Sequence, residues 1–206
     1  MSLTGDWRAA FAEAGGLWRH DRDAARPHAL LTSGLHSDGF VNATKLIEQP
    51  ALLERVVRDW ADLIRRQPGA PPDWVAGAAL GAVTLAYEFA RQLGCRAAFT
   101  EPHEGALLLK RFTWPSGTRV LVVEDVVTTG GSTRSTIAAC EAAGAVVAPE
   151  VFALVDRSDG SVLAPRSIHP AARVSVQTWK PEECPLCRQG SEALRPKANW
   201  ARLTGR

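Results

Sequence analysis

The residues whose types and order best suit ligand binding or catalysis are 120–133, which read Val-Leu-Val-Val-Glu-Asp-Val-Val-Thr-Thr-Gly-Gly-Ser-Thr. The four leading aliphatic residues predict a strand buried on both faces, and Glu124 and Asp125 stand where that strand emerges. The small, hydroxyl-rich turn that follows predicts a helix capped by Ser132 or Thr133. A strand, loop and helix in this order direct backbone N–H groups and a helix N-terminus at one point, which suits a phosphate group.

The two carboxylates require a different partner, because they would repel a phosphate. They suit a neighbouring group that donates hydrogen bonds, such as sugar hydroxyls, or a metal ion. A phosphorylated sugar is therefore the most economical ligand, and the alternative is an ordinary strand–turn–helix with a solvated acidic pair. The chain has no Gly-x-x-x-x-Gly-Lys-Ser/Thr loop and no Gly-x-Gly-x-x-Gly after a strand, which disfavours a P-loop NTPase or a dinucleotide-binding fold.

The segment resembles the ribose-phosphate-binding signature of the type I phosphoribosyltransferases, which use phosphoribosyl pyrophosphate. Residues 30–37, with their Ser-Gly-x-x-Ser order, resemble the N-terminal segment of the orotate phosphoribosyltransferases. Residues 77–88 are similar to the pyrophosphate loop and following helix of that family, and residues 155–157 to an Asp-Arg that ends a later strand. Residues 181–187, Pro-Glu-Glu-Cys-Pro-Leu-Cys, are similar to a tail in one bacterial branch. The resemblance implies Mg²⁺-dependent transfer of ribose 5-phosphate to orotate in pyrimidine nucleotide synthesis.

The resemblance also implies a role for each loop. Backbone N–H groups and hydroxyls of residues 128–132 are expected to hold the 5′-phosphate, and residues 77–81 to approach pyrophosphate, although a packed strand–helix turn is the alternative there. Mg²⁺ is expected to bridge ligand oxygens with few protein ligands, so no residue is named as a metal ligand. The residues expected to bind phosphoribosyl pyrophosphate are Ala78, Ala79, Leu80, Gly81, Glu124, Asp125, Val126, Val127, Thr128, Thr129, Gly130, Gly131 and Ser132.

Other side chains are expected to act at the reacting carbon, C1′ of the ribose, and to bind the base. Glu124 and Asp125 are expected to accept hydrogen bonds from the ribose hydroxyls and to favour the positive charge that C1′ gains as pyrophosphate leaves. Arg157 suits the carboxylate of orotate, since a guanidinium grips a carboxylate through two hydrogen bonds, and in the family the threonine matching Thr128 also touches the base. The alternative is a surface Arg157 paired with Asp156 or Asp159.

The segment 100–114 departs from the family pattern. Orotate enzymes carry a mobile basic loop that closes over the active site of the neighbouring subunit, and here Pro102 replaces the expected loop arginine. His103, Lys110 and Arg111 remain as candidate catalytic contacts to pyrophosphate. Losing one charge-assisted contact costs roughly 2–4 kcal/mol of transition-state stabilisation. Three functions stay open: orotate phosphoribosyltransferase, transfer to another nucleobase, and a non-catalytic regulator that binds phosphoribosyl pyrophosphate.

Bulk properties predict one soluble globular domain of 206 residues. The resemblance implies that about residues 1–45 contribute to a small N-terminal hood and that about 180–206 form a C-terminal tail. A net charge of +2 gives no case for nucleic-acid binding, and no apolar run approaches a membrane span. A cytoplasmic location follows by default. A homodimer is expected from the resemblance, and some of the seven tryptophans are candidates for its interface.

Strands that alternate with helices predict an α/β fold, with a mainly parallel sheet flanked by helices, as in the type I phosphoribosyltransferases. The helices are expected at 7–14, 50–65, 84–93 and 132–143, and the strands at 74–77, 96–100, 120–123, 146–155 and 173–178.

The four cysteines divide into two kinds. Cys95 and Cys140 stand in apolar contexts and are predicted to be buried thiols. Cys184 and Cys187 predict a structural turn rather than a metal site, because zinc usually has four ligands and no second pair stands nearby in the sequence.

Overall fold

A computed structural model describes residues 7–205 of the chain. Its helices are α1 (Trp7–Glu13), α2 (Thr44–Ile47), α3 (Pro50–Arg66), α4 (Val83–Leu93), α5 (Gly131–Ala142), α6 (Pro185–Arg188) and α7 (Trp200–Thr204). Its strands are β1 (Leu17–Arg19), β2 (His28–Leu30), β3 (His36–Ser37), β4 (Gly39–Val41), β5 (Trp74–Ala78), β6 (Arg96–His103), β7 (Ala106–Leu108), β8 (Arg119–Val127), β9 (Val146–Asp156), β10 (Ser167–Arg173), β11 (Thr178–Trp179) and β12 (Ala193–Leu194). Short 3-10 turns cover Pro181–Glu183 and Pro196–Ala198.

The central sheet has six strands in the order β10-β9-β8-β5-β6-β7. Its neighbouring strands are parallel except for β7, which runs antiparallel to β6. Parallel pairing brings the carboxyl ends of β5, β8 and β9 to one edge of the sheet, where ligands of open α/β sheets bind. The predicted mainly parallel α/β fold is confirmed.

Strand β8 lies in the middle of this sheet. Residues 120–123 are buried, as the aliphatic run predicts, and successive residues face opposite sides of the sheet. Leu121 and Val123 pack on the side of α3 and α4, whereas Val120 and Val122 pack on the side of α5. The strand runs on to Val127 because β9 pairs with it up to that residue. Glu124 and Asp125 therefore lie inside the strand, near its carboxyl end.

The larger core lies under α3 and α4. Pro50 occupies the first turn of α3, where its missing N–H costs no hydrogen bond, and Gly94 ends α4 in a left-handed conformation with φ of 72°. Trp60 of α3 stacks on Phe89 of α4 at a ring-centroid distance of 5.4 Å and contacts Phe152 of β9 edge-on at 5.7 Å. These three aromatic side chains fix both helices on one face of the sheet.

The two ends of the described chain meet in a second, smaller sheet. Its order is β11-β3-β2-β12, so strands from the C-terminal part flank two strands from the N-terminal part. Trp179 pairs antiparallel with His36, and Leu194 pairs parallel with Ala29. The predicted hood and tail are therefore hydrogen-bonded to each other. Residues 1–6 of the predicted hood and residue 206 of the tail lie outside the described residues.

Two local predictions were wrong. Neither Ser132 nor Thr133 caps α5, because the helix begins one residue after Gly130, whose φ of 73° turns the chain, and the cap position makes no side-chain hydrogen bond. The strand predicted at 173–178 ends at Arg173, since its only partner, β9, also ends there. The following residues turn toward the smaller sheet instead.

The predictions for the cysteines had mixed outcomes. Cys140 is buried, as predicted, while Cys95 is half-buried, and burial raises the pKa of these thiols to about 12 and about 11. Residues 181–188 form the predicted turn, which is a 3-10 turn followed by α6. No second ligand pair stands near Cys184 and Cys187 in the sequence, but in the fold β2 and β3 bring His28 and His36 beside them.

The tryptophans have little exposed surface, and a place for some of them at a dimer interface stays a prediction. All seven lie in the described range, and each is buried or half-buried. The large apolar side chains that are exposed are Leu80, Tyr87, Leu108 and Val146. No helix within residues 7–205 is long and apolar enough to cross a membrane.

Candidate active site

Three strands deliver the predicted site residues to one edge of the sheet. The loop of residues 77–81 ends β5, residues 124–132 end β8, and Arg157 follows β9. The backbone N–H of Arg157 donates to the carbonyl oxygen of Val127 at 2.9 Å, which places Arg157 next to the start of the glycine-rich loop. The residues expected to bind phosphate, ribose, pyrophosphate and base are thus brought together.

The two loops touch each other at Gly81. A methyl group added at Gly81 would lie 2.1 Å from Oδ2 of Asp125, so a larger residue there would displace the carboxylate. The other oxygen of Asp125 accepts a hydrogen bond from the N–H of Val126 at 2.8 Å. A methyl group at Gly77 would likewise lie 2.5 Å from the carbonyl oxygen of Ala82. The close approach at Gly81 joins the two loops, whereas the contact at Gly77 lies within the turn itself and fits the alternative of a packed strand–helix turn equally well.

Glu124 occupies a different environment from its neighbour. Its side chain is buried, and the hydroxyl of Thr133 donates to one carboxylate oxygen at 3.1 Å. The N–H of Asp125 reaches the other oxygen at 3.2 Å. Burial, followed by the adjacent charge of Asp125, raises the pKa of Glu124 well above its ordinary range. A ligand that donates hydrogen bonds, or a cation, would favour the ionised form of Glu124 again.

The loop between β8 and α5 presents unused hydrogen-bond donors. Thr128, Thr129 and Ser132 are exposed, and their hydroxyls have no hydrogen-bond partner within residues 7–205. The first N–H groups of α5 point out of the helix because no preceding turn accepts them. Arg134 holds the loop in place by donating to the carbonyl oxygen of Thr129 at 2.8 Å. This arrangement can bind an anion such as a phosphate group.

Arg157 lacks the partners that the alternative prediction gave it. Asp156 accepts a hydrogen bond from Arg173 at 2.5 Å, and Asp159 accepts one from the hydroxyl of Ser161 at 2.7 Å. The Nε–H of Arg157 is buried and has no acceptor among the described residues. Burial lowers the pKa of this guanidinium. A half-buried cation with an unused donor at the edge of the site is suited to an anionic ligand.

Residues 100–114, which depart from the family pattern, include the exposed end of the hairpin that β6 and β7 form. Arg111 donates to Glu101 at the base of the hairpin through its Nε at 2.7 Å, while His103 and Lys110 are exposed. In the part of the chain that the structure describes, no hydrogen bond or ion pair joins His103, Lys110 or Arg111 to the two loops. The structure therefore does not bring these three candidates into the site of the same chain.

Comparison with known proteins agrees with this geometry. A family model described as the phosphoribosyl transferase domain matches residues 43–160. The chain is 44% identical over 181 residues to the orotate phosphoribosyltransferase of Heliobacterium modesticaldum, which covers 87% of this chain and 94% of that protein. It is 38% identical over 190 residues to the orotate phosphoribosyltransferase of Acidithiobacillus ferrooxidans, with coverage of 89% and 95%.

Solved structures support the same fold. The orotate phosphoribosyltransferase of Aeropyrum pernix superposes with a TM-score of 0.63 at 24% identity, over 81% of this chain and 92% of that one. At this level of identity the likeness concerns the fold alone, whereas the sequence relatives identify the family. The chain belongs to the phosphoribosyltransferase family, among the orotate phosphoribosyltransferases.

Proposed function

We propose that this chain transfers ribose 5-phosphate from phosphoribosyl pyrophosphate to orotate and releases pyrophosphate. N1 of orotate forms the new bond to C1′ of the ribose as the bond from C1′ to the pyrophosphate oxygen breaks. The electron pair of the broken bond leaves with pyrophosphate, and the N1 proton of orotate passes to the departing pyrophosphate or to water. The products are orotidine monophosphate and pyrophosphate.

The observation that carries this proposal is the buried, unpaired Nε–H of Arg157 beside Thr128. Orotate carries a carboxylate, and a planar guanidinium binds a carboxylate through two parallel hydrogen bonds. A purine without a carboxylate would leave the buried Nε–H of Arg157 without an acceptor, and a buried donor without a partner costs free energy. The position of Arg157 thus supports orotate as the accepting base, with the Thr128 hydroxyl as a second contact.

The remaining groups position the ribose and its phosphates. The exposed hydroxyls and N–H groups of residues 128–132 bind the 5′-phosphate, and the ribose hydroxyls donate to Glu124 and Asp125. Both carboxylates then lie near C1′, where their negative charge favours the oxocarbenium character of the transition state. The backbone of residues 78–81 approaches pyrophosphate closely, since its side chains are small apart from Leu80, which is exposed.

Mg²⁺ is the proposed cofactor. Carboxylate oxygens are the ligands that Mg²⁺ prefers, and the described chain offers no third acidic residue beside Glu124 and Asp125 in a ligand cluster. Asp125 fits as a protein contact, with most coordination coming from pyrophosphate and ribose oxygens. When bound, the ion would neutralise charge on the leaving pyrophosphate.

A cytoplasmic homodimer completes the proposal. The hairpin formed by β6 and β7 lies at the sheet edge and packs on α5 of its own chain, where the N–H of Leu107 donates to the hydroxyl of Ser135 at 3.3 Å. Its tip, with His103, is exposed, which suits a loop that serves a neighbouring subunit. Exposed Tyr87 and Leu108 supply apolar surface for a contact between copies. Lys110 and Arg111 are then the candidate cations that reach the pyrophosphate of the partner.

The assignment of the base is tested by Arg157→Ala and Arg157→Lys. We expect Arg157→Ala to raise the KM for orotate by roughly 30- to 1000-fold, because a charge-assisted pair contributes about 2–4 kcal/mol in a partly dry site. Arg157→Lys should recover little of this loss, since an ammonium group does not reproduce the planar fork. The Kd for phosphoribosyl pyrophosphate should change by less than about twofold in both variants.

The matched control is Arg65→Ala, which removes an exposed arginine at the end of α3. It should leave both constants unchanged. An unchanged KM for orotate in Arg157→Ala would contradict the assignment of the base. Activity of the wild-type protein with a purine, at a rate that Arg157→Ala does not alter, would indicate transfer to another nucleobase instead.

A further inference from the structure

Four metal-ligating side chains converge where the C-terminal tail meets the N-terminal strands. His28 comes from β2, His36 from β3, and Cys184 and Cys187 from the two ends of one turn around α6. One ligand atom of each lies within 4.8 Å of the others. His28, His36 and Cys184 are buried, and Cys187 is half-buried. None of the four belongs to the loops that bind substrate.

The separations match the size of a tetrahedral zinc site. Nε2 of His28 lies 2.9 Å from Nδ1 of His36, and Sγ of Cys187 lies 3.5 Å and 3.2 Å from these two nitrogens. Sγ of Cys184 lies 3.6 Å from Nε2 of His28. With Zn–N bonds of about 2.0–2.1 Å and Zn–S bonds of about 2.3 Å, neighbouring ligands of a tetrahedral ion are separated by about 3.3–3.8 Å. A small expansion of the cluster accommodates the ion.

A hydrogen-bond relay orients His28 as a ligand. The hydroxyl of Ser191 donates to the carbonyl oxygen of Arg26 at 2.6 Å, so its proton is already committed. Its oxygen must therefore accept from Nδ1 of His28, which lies 2.8 Å away. That tautomer carries its proton on Nδ1 and leaves a lone pair on Nε2, the atom that faces the two thiols. Outer-shell contacts of this kind are typical of histidines that bind metal ions.

The turn around α6 presents both thiols on one side. The carbonyl oxygens of Cys184 and Cys187 accept hydrogen bonds from the N–H groups of Arg188 and Gly190, at 3.3 Å and 2.9 Å. Residues three apart in a helical turn lie on the same face, so the two sulfur atoms point together. Two thiols and two imidazoles are a ligand set typical of structural zinc sites, and all four positions of a tetrahedral ion would be filled by protein.

We propose that His28, His36, Cys184 and Cys187 bind one Zn²⁺ ion in a structural site. The ion joins residues 28 and 36 to residues 184 and 187, and so fastens the tail to the hood across the sheet that β2, β3, β11 and β12 form. It takes no part in catalysis, because a closed set of four protein ligands leaves no position for substrate or water. The proposal is independent of which base the enzyme uses.

The test begins with untagged, reduced wild-type protein, whose metal content is measured by inductively coupled plasma mass spectrometry after dialysis. We expect about one zinc ion per chain. The double variant Cys184→Ser with Cys187→Ser should lose it, whereas the matched control Cys95→Ser, which removes a thiol outside the cluster, should keep it. Removing the ion from wild-type protein with a chelator should lower the melting temperature by at least roughly 5 °C.

Cobalt titration keeps the test decisive even if the double variant does not fold. Co²⁺ added to metal-free wild-type protein should give the visible bands of a tetrahedral ion and a thiolate-to-metal charge-transfer band that saturate at about one ion per chain. Absence of zinc together with absence of these bands would overturn the proposal. It would equally be overturned by a Cys184–Cys187 disulfide in protein that binds no metal after reduction, or by undiminished zinc in a folded double variant.

Discussion

Adjacent carboxylates in β8 differ in their surroundings, and this difference has a functional consequence. Glu124 is buried against Thr133, and its burial raises its pKa, whereas Asp125 is half-buried against the backbone of Gly81. Ribose hydroxyls that donate to Glu124 would stabilise its ionised form and lower the pKa in the complex. Binding of phosphoribosyl pyrophosphate should therefore release a proton from Glu124.

The sign of the resulting pH dependence follows from that release. As pH rises through the raised pKa of free Glu124, the cost of deprotonation disappears and the affinity for phosphoribosyl pyrophosphate should increase. Isothermal titration calorimetry at pH 6.5 and pH 8.5, in buffers of different ionisation enthalpy, measures both the Kd and the protons released. The ligand's own phosphate groups also titrate, so the wild-type protein is compared with Glu124→Gln.

In Glu124→Gln the part of the pH dependence that belongs to this carboxyl should vanish, with weaker binding at pH 8.5. Without ligand, ionisation of the buried carboxyl destabilises the folded protein as pH rises from its unfolded-state pKa toward its raised folded-state pKa. The melting temperature of Glu124→Gln relative to wild type should therefore rise between these two pKa values and stay constant above the folded-state pKa. Identical pH profiles of affinity in the two proteins would show that Glu124 does not titrate on binding.

At the scale of elements, the sequence predicted strands and helices best where burial alone decides them. The aliphatic run at 120–123 and the apolar face of α3 were predicted because both are buried and dictated by local pattern. The end of β8 depends on its pairing with β9, and the end of β10 depends on where β9 ends. The local sequence of β8 or β10 therefore does not predict where either strand ends. The cap of α5 was mispredicted because the left-handed Gly130 replaces a side-chain cap.

The β6–β7 hairpin is the element whose function the sequence leaves most open. Pro102 is accommodated in β6, and Glu101 engages Arg111, while Lys110 has no ion pair within the described range. Lys110 is thus the hairpin cation that we propose for the contact to pyrophosphate. Lys110→Ala should lower kcat/KM for phosphoribosyl pyrophosphate by roughly 30- to 1000-fold, since it removes one charge-assisted contact in the transition state.

The matched control is Lys197→Ala, which removes an exposed lysine in the C-terminal tail. Steady-state kinetics with both substrates should show wild-type constants for this control and no change in the KM for orotate beyond about twofold for Lys110→Ala. Equal kcat/KM values for Lys110→Ala and wild type would show that the hairpin does not contribute Lys110, and Arg111→Ala would then be the variant to measure.

For the whole molecule, the sequence indicated one α/β domain but not how its ends meet. His28 and His36 lie more than 140 residues from Cys184, so no local spacing could reveal that they share a cluster. The pairing of β12 with β2 and of β11 with β3 brings them together. Long-range contacts of this kind depend on topology, whereas the site at the sheet edge was predicted because each of its segments follows its own strand.

The proposal that two chains share each active site predicts complementation between two defective chains. If the hairpin of one subunit serves the other, Lys110→Ala and Asp125→Asn are lesions in different halves of each site. Co-expressed in equal amounts, they should form heterodimers in which one of the two sites is intact, and recover about a quarter of wild-type activity. Mixtures of the separately purified, non-exchanging dimers should remain at the level of the variants.

Sedimentation equilibrium of the wild-type protein gives the companion measurement, with a dimer as the expected mass. A monomer that turns over at full rate would contradict the proposal that two chains share the site. Recovery no greater than the sum of the two variants, in material shown to contain heterodimers, would place the hairpin and the loops of each site on the same chain.

The most direct test of the central claim is pyrophosphate release by the wild-type protein, with phosphoribosyl pyrophosphate and Mg²⁺ in the presence of a panel of bases. Orotate is measured against uracil, adenine, guanine, hypoxanthine and nicotinate, the last as a second carboxylated ring. We predict rapid release with orotate and formation of orotidine monophosphate in equal amount, with little release for the other bases. Release with another base but not orotate, or binding of phosphoribosyl pyrophosphate without release for any base, would contradict the account.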